Sequence, residues 1–327
     1  MAVLTMSKAL NLGLRRAMER DDRVLLMGQD IGRLGGVFRV TDSLQKDFGD
    51  SRVIDTPLAE SSILGAAIGL AMRGFRPVCE IQFDGFVFPA FDQITAQLAK
   101  HRARSSGATP MPIVVRIPYG GGIGAVEHHS ESPEAYFAHT PGLRVVTPGD
   151  PASAFVMIQQ AIASADPVIF LEPKRRYWDK AEVADSSELA SSPELFSAQV
   201  VRVGTDLTLA TYGPMVRTCL QAADAAAAEG KSLEVIDLRS VSPLDIETLA
   251  TSVERTGRLV VVHEAQVSFG VGAEIAARIT QQCFYHLLAP VLRVGGYDVP
   301  YPPSRIESHY LPDLHRVLDS VDSSLAY

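Results

Sequence analysis

Short, unbroken apolar runs alternate with longer helical patterns along this chain, and that alternation limits its possible folds more than any other feature. In the first half the runs are Val24–Met27, Arg52–Ile54, Val78–Phe83, Ile113–Ile117, Leu143–Val146 and Val168–Leu171. Helices are predicted at Thr5–Glu19, Ser61–Arg73, Phe88–Arg102 and Pro151–Ser164, the last with Asp150 as its cap and Pro151 in its first turn. Strands that are apolar at every position, rather than at every second one, belong to a parallel sheet covered on both faces. From Lys180 to Ala198, Asp, Glu, Ser and Pro accumulate without an apolar period, which is the texture of a linker. The alternation then resumes, with strands at Leu207–Thr211, Leu233–Asp237, Leu259–Val262 and Val291–Val294. Helices at Met215–Ala228, Leu244–Arg255, Gly272–Phe284 and near Asp313–Ser320 fall between and after them. A chain of 327 residues has room for two domains, at about 150 residues each. The expected architecture is α/β: a parallel-sheet domain over residues 1–180, a linker over 181–198, and a smaller α/β domain over 199–327.

Composition removes several function classes. A net charge of −8 argues against nucleic acid as the main partner, since such proteins carry a basic stripe. The densest basic cluster, Lys174-Arg175-Arg176 beside Tyr177 and Trp178, reads as a solvated or interface edge. Three cysteines, Cys79, Cys219 and Cys283, are too far apart for metal or redox spacing. Their number suits a reducing compartment, with Cys79 and Cys219 expected to be buried. No apolar run reaches membrane-spanning length, because Ile63–Met72 is broken by glycines and stopped at Arg73. The N-terminal segment lacks a secretion signature, and Glu19, Asp21 and Asp22 argue against a transit peptide. The expected location is cytoplasmic, with no membrane partner.

Four segments could carry chemistry. Asp55-Thr-Pro-Leu-Ala-Glu60 sets a carboxylate where a turn enters the Gly/Ala-rich helix Ser61–Arg73. There it could form a charge-assisted hydrogen bond to a ring nitrogen of a bound heterocycle, or simply favour the helix dipole. Gly28–Gly36 follows a strand but lacks the dinucleotide fingerprint, so it reads as a glycine-rich loop near a site. Glu80-Ile-Gln-Phe-Asp-Gly-Phe86 delivers Gln82, Asp84 and Phe86 into a loop, and Phe86 could stack on a heterocycle. Pro118-Tyr-Gly-Gly-Gly-Ile-Gly124 calls for close backbone approach, and His129 beyond it is a candidate acid/base. His128, His129 and His139 could equally be ordinary polar loop residues. Two adjacent histidines without cysteine or paired acid give poor zinc ligands.

Together the runs Gly35–Thr41 (GGVFRVT), Arg52–Glu60 (RVIDTPLAE), Glu80–Phe83 (EIQF), Pro89–Ile94 (PAFDQI), Glu172–Lys174 (EPK) and Val262–Ala273 (VHEAQVSFGVGA) carry a family resemblance. In unbroken order, the chain resembles the β subunit of the thiamine-diphosphate-dependent decarboxylating component of 2-oxo-acid dehydrogenase complexes. The resemblance implies a transketolase-like pyrimidine-binding domain followed by a transketolase C-terminal-like domain that serves dimerisation and acyltransferase-core docking. It implies that Glu60 bonds the aminopyrimidine of thiamine diphosphate, that Phe86 packs on that ring and that Gln82 lines the same pocket. His129, in a His-Ser-x-Ser pattern, resembles the histidine implicated in proton transfer and acyl transfer to a lipoyl group. Glu131 stands where the family usually has glutamine, and a carboxylate beside His129 is expected to favour imidazolium.

Thiamine-diphosphate enzymes hold the cofactor's diphosphate through a metal at a Gly-Asp-Gly…Asn motif, and no Gly-Asp-Gly occurs here. The resemblance therefore implies that an α subunit supplies the Mg²⁺ ligands, this chain none, with the cofactor shared in an α2β2 heterotetramer. A lipoyl-bearing acyltransferase core is the further partner. The Arg-Arg-Tyr after Glu-Pro-Lys174 and the His-His-Ser-acid-Ser run favour a branched-chain 2-oxo acid such as 2-oxoisovalerate, with pyruvate as the alternative. A transketolase-like sugar transferase would need basic and histidine clusters for a phosphosugar, and none adjoins the glycine loops. A mainly non-catalytic docking or scaffold subunit remains the alternative from another class, for which Tyr297–Pro303 reads as an exposed surface.

Overall fold

The computed structural model describes residues 2–183 and 192–327. The N-terminal unit contains strands β1 (Ala2–Thr5), β2 (Val24–Gly28), β3 (Val53–Asp55), β4 (Arg76–Glu80), β5 (Val114–Tyr119), β6 (Arg144–Val146), β7 (Val168–Pro173) and β8 (Lys180–Val183). The C-terminal unit adds β9 (Gln199–Arg202), β10 (Leu207–Thr211), β11 (Leu233–Asp237), β12 (Ser240–Ser242), β13 (Leu259–Gln266) and β14 (Leu292–Gly296). A seven-stranded sheet runs in the order β12-β6-β7-β5-β4-β2-β3, and a five-stranded one in the order β14-β13-β10-β11-β9. From β6 to β3 the large sheet is parallel throughout. All six of those strands therefore release their chain at the same edge.

Local sequence explains the helices that cover this sheet. Met6–Arg20 is capped by Thr5, whose hydroxyl accepts from the Lys8 amide at 3.4 Å. Its apolar stripe of Met6, Leu10, Leu14 and Met18 is buried. Pro151–Ala163 begins as expected, with the Asp150 carboxylate accepting from the Ala152 and Ser153 amides at 2.8 and 3.0 Å. The two helices pack so closely that a Cβ on Gly13 would lie 2.4 Å from the Ile158 side chain.

The structure corrects the expected elements in four places. The single helix over 88–102 is instead a 3₁₀ stretch Asp84–Ala90, a π-helical stretch Gln93–Leu98 and a short α-helix Ala99–Arg104. Pro89 lies inside the first of these and cannot donate to the helical ladder; π turns of this kind are rare and local. The expected linker begins with a strand, because β8 pairs antiparallel with β1; residues 184–191 lie outside the described residues. A further strand, β9, adds to the smaller sheet antiparallel to β11. Finally, β12 leaves the second unit and pairs with β6 of the first, so one sheet is built from both.

The units are also joined by buried polar contacts. Tyr212 donates to Glu134 at 2.9 Å, Arg176 to the Pro214 carbonyl at 3.0 Å, and Arg175 pairs with Glu264 at 2.9 Å. Lys174-Arg175-Arg176 is thus largely an internal interdomain anchor rather than a solvated edge. At the same junction burial pushes the Asp237 carboxyl up to about 7, against the Arg239 amide, which donates to it at 3.0 Å. Between its ordinary value of 3.8 and about 7, the folded state holds a proton that the unfolded state has lost. Stability therefore falls as pH rises through that window, by up to about 1.4 kcal/mol per pH unit for one proton. Asp237→Asn is expected to flatten the fall in melting temperature across that window, and thermal melts at stepped pH would measure it.

Candidate functional site

Five parallel strands deliver the candidate residues to one edge of the large sheet. The loop Gly28–Gly36 leaves β2, Asp55–Glu60 leaves β3, Ile81–Phe86 leaves β4, Gly120–His129 leaves β5, and Lys174 leaves β7. Ligands of open α/β sheets sit beyond such carboxyl ends.

Asp55 and Glu60 have different tasks. Asp55 accepts from the Gly32 and Arg33 amides at 2.6 and 3.2 Å, so it pins the first glycine loop beside β3. Two further amides of that loop are used internally, Gly35 to the Gly32 carbonyl and Gly36 to the Asp30 carbonyl. Glu60 opens the helix Glu60–Met72 and is half-buried. Among the described residues its carboxylate has no hydrogen-bond or ion-pair partner.

Phe86 and His129 come together. Their ring centroids lie 5.0 Å apart edge to face, and Phe83 lies 4.1 Å from His129 on a tilted plane. Gly85 is what permits this approach, because a Cβ there would meet the His128 carbonyl at 2.3 Å. Gln82 donates to the Gln29 carbonyl at 3.1 Å and to Asp30 at 3.2 Å, which ties it to the first glycine loop. No hydrogen bond joins Glu60 to Gln82 or His129 among the described residues.

His129 Nδ1 lies 2.9 Å from the His128 carbonyl. A carbonyl can only accept, so Nδ1 carries the proton and Nε2 is left as an acceptor. Partial burial, with the nearby charges of His128 and Lys174, holds this imidazole below its ordinary pKa; the His128 carbonyl acts in the opposite direction. The expectation that Glu131 would favour imidazolium is overturned. Glu131 is shielded from water and pressed by Glu127, which raises its own carboxyl, while the charge of His128 acts the other way on it.

The supporting contacts of several residues escaped sequence reasoning. Lys174 is buried, pairs with buried Asp84 and donates to the His129 carbonyl at 2.5 Å. Asp84 also accepts from the Glu131 amide at 2.9 Å, so the pair holds the histidine loop on both sides of Ser130. Beneath it Arg116 binds Glu172 and Glu80. The available signal was a charged residue inside the apolar run Ile113–Ile117. The second glycine loop is also occupied from within, by Glu264 at Gly121 and Glu307 at Gly122 and Gly124.

His263 and Glu264 are buried on β13. A cleft of about 1190 Å³ lies elsewhere, lined by Tyr136, His139, Pro243, Phe269 and Arg278 among others, and none of Glu60, Gln82, Phe86 and His129 lines it.

The two units match known domain families. The transketolase pyrimidine-binding domain matches residues 2–179, and the transketolase C-terminal domain matches residues 197–317. A solved chain described as a split-gene transketolase, an inactive β4 tetramer, superposes with a TM-score of 0.81 at 22% identity, covering 99% of this chain and 98% of that one. Fold and sheet edge thus define a transketolase-type α/β protein. The pyruvate dehydrogenase E1 component subunit beta of Leifsonia xyli subsp. xyli is 60% identical, covering 99% of this chain and 95% of the relative. The 3-methyl-2-oxobutanoate dehydrogenase subunit beta of Mycobacterium tuberculosis is 54% identical, covering 98% and 92%. This chain belongs to the family of β subunits of the E1 components of 2-oxo-acid dehydrogenases.

Proposed function

We propose that this chain, assembled with an α subunit, decarboxylates a 2-oxo acid oxidatively and transfers the acyl group to a lipoyl arm. The observation that carries the reading is Glu60. It is a carboxylate in the first turn of a helix, without a partner among the described residues, on the same sheet edge as Phe86 and His129. Such a group is poised for an external hydrogen-bond donor.

The residues fit one end of thiamine diphosphate and not the other. Glu60 can hold a protonated ring nitrogen of the aminopyrimidine, Phe86 can pack on that ring, and Gln82 can line the pocket. For the diphosphate there is no comparable grip. The Gly32, Gly35 and Gly36 amides of the first glycine loop and the Gly120, Gly121, Gly122 and Gly124 amides of the second are already taken by Asp55, Glu264, Glu307 and neighbouring carbonyls. Among the described residues no three His, Cys, Asp or Glu side chains gather as metal ligands. We therefore assign the diphosphate and its Mg²⁺ to the α subunit of an α2β2 heterotetramer.

The helix Glu60–Met72 supports that partner. Ser61, Ser62, Gly65, Ala66 and Gly69 face solvent, and a Cβ on Gly69 would meet nothing within 4 Å. Packing among the described residues thus does not require a glycine at position 69. The division of labour follows: residues 1–180 for the pyrimidine and residues 199–327 for dimerisation and docking on the acyltransferase core. Among the described residues no helix is long and apolar enough to cross a membrane; a cytoplasmic location completes the proposal.

When bound, thiamine diphosphate supplies the electron sink for loss of CO₂. In this chain Glu60 orients and polarises the pyrimidine, while His129 Nε2, free as an acceptor, moves a proton during acyl transfer. A branched-chain 2-oxo acid is the favoured substrate. Pyruvate is the second reading, favoured by the name of the 60%-identical relative. The test is co-expression with an α subunit, followed by thiamine-dependent turnover on pyruvate and 2-oxoisovalerate; absence of turnover on both would discard the proposal. His129→Ala is expected to lower lipoyl acylation by roughly 10²-fold or more. It should leave decarboxylation coupled to an artificial electron acceptor within about twofold, and equal losses in the two assays would contradict the role of His129.

A further inference from the structure

The histidine loop is held by both units of the chain. It closes where the Gly120 amide meets the Glu131 carbonyl at 2.9 Å. Lys174 and Asp84 of the first unit hold its His129 limb. The glycine limb is held by two buried carboxylates of the second unit. Glu264 accepts from the Gly121 amide at 2.5 Å and is paired with Arg175 at 2.9 Å. Glu307 accepts from the Gly122 and Gly124 amides at 2.8 and 3.2 Å, and from the Tyr301 hydroxyl at 2.6 Å. Gly120, Gly122 and Gly124 have φ of 81°, 87° and 71°, so the limb turns in conformations that L side chains rarely adopt. Gly121 lies so close to Tyr301 that a Cβ there would fall 1.8 Å from its hydroxyl. A flexible glycine segment has little intrinsic order, and here charge-assisted hydrogen bonds to buried acids supply it.

We infer that Glu264 and Glu307 of the C-terminal unit, with Tyr301 behind Glu307, are positioning residues that set the place of the His129 imidazole through the glycine limb. The inference rests on the acyl-transfer role proposed for His129. It gives the second unit a part in the chemistry besides assembly. Misplacing a reacting group by about 1 Å can cost 10²-fold, so loosening one limb should be felt at His129 and little at Glu60, which leaves a different strand.

The test uses the complex reconstituted with its α subunit and a lipoyl domain. In Glu307→Gln one carboxylate oxygen becomes an NH₂ group that faces a loop amide, donor against donor. Lipoyl acylation should fall about 10-fold or more, while decarboxylation with the artificial acceptor stays within about twofold. Amide hydrogen exchange over residues 120–131 should quicken by about 10-fold or more, with the rest of the chain unchanged. Tyr301→Phe keeps the carboxylate and should move both readouts in the same direction by a smaller factor; it carries the test if Glu307→Gln fails to assemble. Equal loss in both assays, or unchanged exchange in the loop, overturns the inference. If His129→Ala shows no difference between the assays, the acyl-transfer role fails and the exchange measurement alone decides whether these acids order the loop.

Discussion

Glu60→Ala lowers thiamine-dependent turnover of the assembled enzyme by roughly 10²–10⁴-fold, the range for a lost acid/base group, while the chain keeps its fold. The structural half of this expectation follows from the lack of any bond to the Glu60 carboxylate among the described residues. What the substitution removes from the fold is a favourable charge at a helix N-terminus, worth about 0.3–1 kcal/mol. Part of that returns through the higher helix propensity of alanine. The melting temperature of the isolated chain should therefore shift by no more than a few degrees, as circular dichroism would record. Glu60→Gln sharpens the result. It keeps shape and hydrogen-bonding capacity but loses the charge that makes the bond to a pyrimidine nitrogen strong, so turnover should fall nearly as far. Near-normal turnover in either variant removes Glu60 from the mechanism.

Legibility in the sequence followed the distance over which each interaction acts. Fully apolar runs such as Val168–Leu171 and capped starts such as Asp150-Pro151 depend on nearest neighbours, and the sheet and helix Pro151–Ala163 appear where they announce themselves. The break-up of the 88–102 segment depends on Pro89 and on packing against the helix Glu60–Met72, where Ser61 donates to the Pro89 carbonyl. That contact is invisible to periodicity. β12 is three residues long, and its place on the far edge of the first sheet is decided by pairing with β6, not by its own sequence. The meeting of Phe86 with His129 could be anticipated only through the family pattern. The acids that hold the second glycine loop lie 143 and 185 residues from the amides they bind. Glycine content announced a close approach, and the partner making that approach proved to be the chain itself.

Arg116→Met should be the most destabilising of the substitutions argued for this chain. Arg116 reaches Glu172 through two nitrogens at 2.6 and 2.9 Å and Glu80 through a third at 2.7 Å. The side chains are almost sealed from water, at 2% exposure for Arg116, 0% for Glu172 and 6% for Glu80. Tyr177 adds a hydroxyl bond to Glu172 at 2.6 Å. One cation thus serves two buried carboxylates, and burial already raises the Glu80 carboxyl even with Arg116 beside it. Removing the cation leaves two like charges facing each other without solvent, and breaking a buried pair in this way costs about 3–5 kcal/mol. The melting midpoint should drop by on the order of 10 °C at neutral pH. The sign of the pH effect follows from the same charges. Without Arg116 the folded pKa of Glu80 rises further above its unfolded value, so stability is greatest in acid and is lost as pH rises through that interval. Part of the loss should return below about pH 5, or on adding Glu80→Gln, which removes one of the opposed charges. A drop of similar size at every pH would point to a packing defect instead. Glu80 lies two residues before Gln82 and Glu172 two before Lys174, so the same substitution should also loosen the sheet edge that carries His129.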